Sequence, residues 1–496
     1  MIGVQSHGKS CSKNRSGWRK GIRKGFDRLG DVSCQECFQK DREIDVLKAK
    51  VVELRNKLNY REKRAKIQGA FGSSTPSAQK PLKSNSLEVN QESKGGAKIG
   101  HKGRGRSVAK HGDQVVFHDK PEKCPDCHVV LCERDTRERT IVDAAPVKAK
   151  RVLHQYKRGQ CPCCFKVYSE KLPVLPKCLY GNQLLAQAAV MHYLHGVPIG
   201  RILTLLGPEV TEGGLIEAFH RLGKLCNQVV PQLIVDYRNS WIKQADETGW
   251  RTDGKGGYAW VFCSADTSIF RFGENRSAQV AHRILGNDPL KGYLVVDRYG
   301  GYNRINCRIQ YCFAHLLRTV EDLGEEFYDN TEVTQYVDEL CAFLGEAMRL
   351  RAMPITDEKY YVRAKEIKMG IQRVSLKSAK HLGIQAIQSI FIENELRLYH
   401  WVEDRRVPAE NNRSEREIRP SVVARKSSYG SQSKKGAETR SAIMTVLYTI
   451  KKRTIDKPPE IWLKEALDSI VENPHLSLVA LFQSLTSSHP LSTPGH

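Results

Sequence analysis

Residues 241–303 constrain this chain more than any other stretch. Two short apolar runs each lead to an aspartate: Trp241-Ile242 to Asp246, and Tyr293-Leu294-Val295-Val296 to Asp297. Between them, residues 258–263 and 268–272 read as a hairpin across Ala265-Asp266-Thr267, and residues 277–285 read as a helix. An apolar strand that stops at a carboxylate presents a charge at a sheet edge without burying it. If the two strands are neighbours, both carboxylates converge on one point, and a divalent cation relieves their repulsion. The pattern therefore predicts an α/β core carrying a metal site.

Two cations need a third carboxylate, and residues 407–420 offer Glu410, Glu415 and Glu417. Pro408 starts this segment and Pro420 ends it, which predicts a short helix between them. Asn412, Glu415 and Arg419 lie three and four residues apart and share one face, whereas Glu417 points away. Glu415 is the expected third ligand, with Asn412 and Arg419 as neighbours that position it or a phosphate. Glu247 follows Asp246, faces the other side of the strand and reads as structural. Asp253-Gly254 is a turn signature, and Trp250 and Trp260 read as core aromatics. On a helix, Cys312 and His315 share a face with Arg318, which favours support of the active site or of DNA.

At 496 residues the chain is long enough for several domains. Its formal net charge is +24, and residues 1–112 alone hold 26 Lys and Arg against 10 Asp and Glu. Such an asymmetric basic arm favours a polyanion, nucleic acid more than membrane. The richest apolar stretch, 184–206, is interrupted by Gln187, His192, His195 and Arg201, so no transmembrane span is expected. The start lacks the apolar core of a signal peptide. With 15 cysteines, several in close pairs, reduced thiols and metal ligation are expected in an intracellular, cytoplasmic protein.

Taken in order, residues 1–40 form a basic arm, in which Cys34 and Cys37 read as an incidental pair. Over 41–70, Ile44, Leu47, Val51, Leu54 and Leu58 alternate steps of three and four, the seam of a coiled coil that would make a homo-oligomer. A single amphipathic helix is the other reading. Residues 71–120 are a basic linker, where Arg104 and Arg106, set apart by glycine, fit the minor groove of A·T-rich DNA or simply stay solvated. Over 121–170, Cys124-Pro-Asp-Cys127 and Cys161-Pro-Cys-Cys164 flank β-rich stretches at 140–143 and 151–156. Two such knuckles predict a zinc ribbon, with structural Zn²⁺ on Cys124, Cys127, Cys161 and Cys164. Cys132, Cys163, His128 and His154 are ligand alternatives that only spacing disfavours. Residues 178–238 read as helical, with Thr211 as an N-cap. The tight pair 197–206 and 211–225 resembles a helix-turn-helix, but many such pairs only pack.

Several motifs carry a family resemblance: Ala245-Asp-Glu-Thr-Gly-Trp250, Val296-Asp-Arg-Tyr-Gly-Gly-Tyr-Asn303, Gln310-Tyr-Cys-Phe-Ala-His-Leu-Leu-Arg318, and Asn411-Asn-Arg-Ser-Glu-Arg-Glu-Ile-Arg-Pro420 followed by Arg425-Lys426. In this order they resemble the large transposase of the insertion-sequence-66 family of bacterial mobile elements. The likeness takes in the coiled coil, the Gly-His-Lys-Gly linker and the zinc ribbon, from about residue 40 to about 470. It implies an RNase H-like catalytic domain over 239–455, a mixed sheet with flanking helices and a helical insertion at about 319–400. A C-terminal tail, 456–496, would follow.

The resemblance further implies a triad of Asp246, Asp297 and Glu415 holding two Mg²⁺ (or Mn²⁺) ions about 3.5–4 Å apart. Cutting and joining would then occur at terminal inverted repeats and target DNA without a covalent protein–DNA intermediate, with small accessory proteins as further partners. Asn412, Arg419, His315, Arg318, Arg425, Lys426, Arg104 and Arg106 are the supporting or DNA-binding candidates. Competing readings are a non-catalytic zinc-containing DNA-binding protein derived from a transposase, and an RNase H-class nuclease. Two features depart from the family pattern: Cys163 inside the second knuckle, and the basic extension before Cys34.

Overall fold

The computed structural model describes residues 39–51 apart from 41, residues 122–123 and 126–130, and 147–487 apart from 170, 455 and 474. Arg104, Arg106, Cys124, the Cys34–Cys37 pair and most of the arm, coiled coil and linker lie outside the described residues. The chain divides into two compact units, Met1–Ile67 and Gln68–His496. In the first, residues 39–40 and 42–51 are helical (α1), with Ile44, Leu47 and Val51 of the expected seam exposed. Leu54 and Leu58 are outside the described residues.

The second unit begins with a small hairpin, β1 (Arg158–Gln160) against β2 (Val167–Ser169), which closes around the Cys161–Cys164 turn. No strand forms at 151–156. Val152 and Leu153 are exposed there, so nothing rewards an extended, half-buried conformation. Among the described residues, pairing in this module is the β1–β2 hairpin and a single antiparallel bridge between Lys123 and Val130 at the first knuckle.

Three helices follow. α2 (Asn182–Ala189) runs into a π-turn at Val190–Leu194, then come α3 (Ile199–Leu206) and α4 (Glu212–Asn239). Thr211 caps α4 as expected, its hydroxyl accepting from the Gly214 N–H at 3.3 Å. α4 buries Leu215, Phe219, Leu222, Cys226, Val229 and Leu233 along one side, so its apolar face belongs to the core.

A five-stranded sheet follows, built from β3 (Ile242–Thr252), β4 (Lys255–Cys263), β5 (Ser268–Glu274), β6 (Tyr293–Val296) and β7 (Arg308–Tyr311), with α5 (Ala278–Leu285) before β6. Its order is β5-β4-β3-β6-β7, antiparallel through β5-β4-β3 and parallel through β3-β6-β7. Asp253 and Gly254 turn the β3–β4 hairpin with φ of 53° and 70°, the left-handed pair that a two-residue turn demands.

The strand carrying the first aspartate departs from expectation. β3 does not stop at Asp246 but continues to Thr252, and Asp246 and Asp297 are 2% and 3% exposed rather than held at an open edge. The reason is asymmetric pairing. β4 accompanies β3 from Gln244 to Thr252, whereas β6 pairs with it only from Ile242 to Gln244. Asp246 thus lies inside a strand, where its parallel neighbour gives out.

Helices α6 (Phe313–Glu326), α7 (Thr331–Leu350), α8 (Asp357–Leu376), α9 (Leu382–Glu393) and the short α10 (His400–Glu403) make the helical insertion. They are followed by α11 (Asn412–Ser428), α12 (Lys434–Arg453), α13 (Pro459–Glu472) and α14 (Leu478–Ser487). α11 is longer than the proline-bounded helix the sequence suggests, because it runs on through Pro420. Pro420 forfeits one helical hydrogen bond, but Ile418, Ser421 and Ala424 are buried on either side of it and Arg425 is tied to the Gly249 carbonyl of β3. The segment expected as a tail also folds, with α13 and α14 burying Trp462, Leu463, Leu467 and Phe482 against α2 and α4.

α12 covers the edge strand β5. Ser441, Thr445 and Thr449 stand four residues apart on one face, and their hydroxyls accept from the N–H groups of Phe272, Phe270 and Ser268 at 2.9–3.1 Å. Donors that an edge strand leaves open are thereby used inside the molecule. The mixed sheet with its flanking helices fits an RNase H-like core. Among the described residues no helix is long and apolar enough to cross a membrane.

Candidate active site

The β3–β6 register pairs Ile242 with Tyr293 and Gln244 with Val295. Carried on two residues, it sets Asp246 level with Asp297. Each aspartate uses one oxygen on a nearby backbone donor: the Glu247 N–H lies 2.9 Å from Asp246 Oδ1, and the Tyr299 N–H lies 3.0 Å from Asp297 Oδ1. The Oδ2 atom of each is buried without a hydrogen-bond partner, and so is Oε1 of Glu415. Burial first, then the charges of Glu247, Asp297 and Glu415, push the Asp246 carboxyl well above the usual carboxylate range. Asp297 is raised by burial, against the pull of the Tyr299 N–H and the Arg276 guanidinium.

Glu415 reaches this point from the first turn of α11, which is pinned to β3 by its N-cap residue. Asn411, fully buried, donates from Nδ2 to the Ala245 carbonyl at 2.7 Å and accepts at Oδ1 from Gln244 Nε2 at 3.1 Å. Its N–H also contacts Cys312 Sγ at 3.1 Å, joining α11 to the start of α6. From α6, Arg318 Nη2 lies 3.5 Å and His315 Nδ1 3.8 Å from the Glu415 carboxylate. Cys312, His315 and Glu415 each bring one ligand atom within 4.8 Å of the others, the one group so compact among the described residues. The three carboxylates of Asp246, Asp297 and Glu415 are spread more widely.

On the opposite face of β3, Glu247 is fully buried in a separate network. Arg276 donates to its Oε1 from Nε and Nη2 at 3.0 and 2.7 Å, and the Tyr302 hydroxyl donates to Oε2 at 2.8 Å. Burial foremost, then the Asp297 charge, raise Glu247 to about 7 despite Arg276. The Arg276 guanidinium also lies over the Tyr299 ring, 4.2 Å from its centroid. The network links β3 beside Asp246 to the turn that follows Asp297.

The remaining candidates scatter. Asn412 is half-buried and Arg419 exposed, and neither is hydrogen-bonded to Glu415. Glu417 points away, accepting from Ser268 Oγ at 2.6 Å and pairing with Lys452 at 2.6 Å. Arg425 sits at the far end of α11 and Lys426 beside it is exposed. In the cysteine module, Cys127 and Cys164 are exposed and Cys161 half-buried, all three as free thiols. The backbone N–H groups of Cys164 and Cys163 point at the Cys161 sulfur and lower its pKa, which favours a thiolate ligand.

Sequence reasoning passed over Asn411, whose helical-face argument selected its neighbour Asn412. The tandem Asn411-Asn412 marks a helix start, but the Asn411 side chain makes no cap bond and is spent on β3 instead, which no local signal announces. Arg276 lies in a loop, and no local pattern announces its partner 29 residues away.

The fold and the site together define an α/β protein with a buried acidic centre at the end of a parallel strand pair. The model of the family described as transposase IS66 matches residues 177–439, more than half of the chain, and the chain belongs to that family. It is also similar to the uncharacterized protein y4qI of Sinorhizobium fredii, 26% identical over 405 residues that cover 73% of this chain and 72% of that protein.

Proposed function

We propose that this chain is a DDE transposase that binds the terminal inverted repeats of its element and catalyses metal-dependent DNA strand cleavage and strand transfer. One observation supports the reading: Asp246, Asp297 and Glu415 lie near enough for their charges to act on one another, and each keeps one buried carboxylate oxygen without a hydrogen-bond partner. Buried polar atoms are ordinarily paired, so three orphaned carboxylate oxygens that act on one another electrostatically fit a site made for cations.

Asp246, Asp297 and Glu415 would hold Mg²⁺ or Mn²⁺, which would supply a lowered pKa for a water or a DNA 3′-hydroxyl and positive charge for the leaving oxygen. The protein supplies the rest. Asp246 and Asp297 are held level by strand register, and Asn411 fixes the start of α11 against β3. His315 and Arg318 approach Glu415 from α6 and orient it. Arg276 offsets part of the charge behind Asp297. Hydrolysis and the later attack of a freed 3′-hydroxyl require no side-chain nucleophile. A structural Zn²⁺ on Cys124, Cys127, Cys161 and Cys164 is part of the proposal, supported by the tight Cys161–Cys164 turn and its N–H groups directed at sulfur.

The test is a cleavage and joining assay with Mg²⁺ on DNA carrying the element's own ends, for wild type and Asp246→Asn. Joined products from wild type alone support the transposase and its first carboxylate together. Cleavage without joining would favour a nuclease, and DNA binding without either reaction would favour a non-catalytic derivative.

A further inference from the structure

A cavity of about 580 Å³ opens at the far end of the β3–β4 hairpin, where it meets the last turn of α11. Its walls include three aromatic side chains, Trp250, Tyr258 and Tyr429, and two arginines, Arg251 and Arg425. Gly257 forms part of its backbone floor, where a Cβ would press on the Glu274 and Trp250 carbonyl oxygens at 3.1 and 3.3 Å. None of these residues serves the acidic centre.

Three features describe what would fit. Tyr429 is 74% exposed and held in the left-handed region at φ 58°, uncommon for a bulky residue. The turn behind it is fixed, because Gly430 approaches the Arg251 carbonyl too closely for any side chain. The ring is therefore displayed to solvent by a constrained backbone. Second, no carboxylate pairs with Arg251 or Arg425 among the described residues; Arg425 donates only to the Gly249 carbonyl. Third, α11 and β3 run side by side from the acidic centre to this cavity, tied at one end by Asn411 and at the other by Arg425 and by Ser431, whose N–H donates to the Arg251 carbonyl. Ten helical residues from Glu415 to Arg425 span about 15 Å, or roughly four to five steps of a DNA strand at 3.4 Å each.

Unpaired cations call for phosphate, and displayed aromatic rings call for a flat apolar partner. A paired base hides its faces in the duplex stack, whereas an unpaired base offers one. We propose that this cavity holds one unpaired nucleotide of the DNA strand, its base stacked on Tyr429 and its phosphate on Arg425 and Arg251. The assignment rests on the DNA-acting reading above and adds a single-strand site to it.

Binding of the full chain to a short mixed-sequence single strand, and to the duplex of the same sequence, tests the proposal at fixed salt. Tyr429→Ala is expected to weaken single-strand binding roughly 5- to 150-fold, the loss of one stacked base, with duplex binding within about twofold of wild type. Tyr429→Phe should retain single-strand affinity. Arg425→Gln should lower the salt dependence of single-strand binding by about one phosphate contact. Single-strand affinity unchanged in Tyr429→Ala, or lost equally with duplex affinity, overturns the nucleotide site. Wild type that binds duplex but no single strand overturns the site alone, while wild type that binds neither overturns the transposase reading with it.

Discussion

Asp246 on β3 stands level with Asp297, the residue just past the end of the parallel neighbour β6, and each spends one oxygen on a backbone N–H while the other is buried without a partner. Two anions so placed repel each other, with Glu415 adding to the field at Asp246. Asp246→Asn removes one of these charges. In chelator, at a pH high enough to ionise Asp246, the variant should melt higher than wild type, by roughly 1 °C for each kcal/mol of repulsion relieved in a chain of this size. In excess Mg²⁺ or Mn²⁺ it should lose the stabilisation that wild type gains. Thermal melts in both conditions check the pair of outcomes, and a variant that responds to cation as wild type does would remove Asp246 from the site.

Arg276 and Glu247 make the opposite arrangement, a buried anion whose counter-ion is present. Replacing Arg276 by methionine strips the buried Glu247 carboxylate of its counter-ion, at a cost that approaches about 3–5 kcal/mol only well above pH 7, where Glu247 no longer escapes by taking a proton. Neutralising both, as Glu247→Gln with Arg276→Met, should recover a large part of that loss. Urea denaturation of the two single variants and the double variant measures it. Strict additivity of the two changes would mean that the ion pair does not fasten β3 to the turn after Asp297.

Thr445 accepts from the Phe270 N–H at 2.9 Å, in the middle of the row by which α12 covers β5. Thr445→Val keeps the shape and removes the acceptor, leaving a buried donor unpaired at a cost of about 1–3 kcal/mol. Hydrogen exchange at Phe270 should accelerate far more than at Val261 on β4. Equal protection at both would mean that the hydroxyl row contributes nothing to the edge.

The sequence was most legible where chemistry is local. The Asp253-Gly254 turn, the Thr211 cap, the β4–β5 hairpin and the face shared by Cys312, His315 and Arg318 all follow from spacing and residue type, and all are present. Legibility fell wherever a distant segment decided the outcome. β3 outran its expected end because a hairpin partner escorts it, and α11 outran Pro420 because β3 lies alongside. The acidic centre shows both sides. The aspartates were visible as strand-end charges, but their burial depends on helices far along the chain, as does the Asn411 clamp from 166 residues away. Pairing partners at such separations leave no periodicity to read.

His192 supplies a dependence of stability on pH. It is 8% exposed, with Nδ1 2.8 Å from the Val197 carbonyl and Nε2 accepting from Arg440 Nη2 at 2.8 Å. Phe219 of α4 stacks on it and Tyr193 meets it edge-on. Burial, then the Arg440 charge, lower its pKa to about 3. Unfolding frees the imidazole to take a proton near its ordinary value of 6.5, which the folded state refuses. Between these two values the unfolded chain binds more protons, so folding stability rises with pH and falls as the solution is acidified through 6.5. The slope is about 1.4 kcal/mol per pH unit, or roughly 2 kcal/mol between pH 7 and pH 5. His192→Gln keeps a donor for Val197 and an acceptor for Arg440 but cannot titrate. Urea midpoints across that range should therefore fall more steeply for wild type than for the variant. Parallel curves would mean that His192 is already protonated in the folded protein, and that Arg440 is not bonded to a neutral ring.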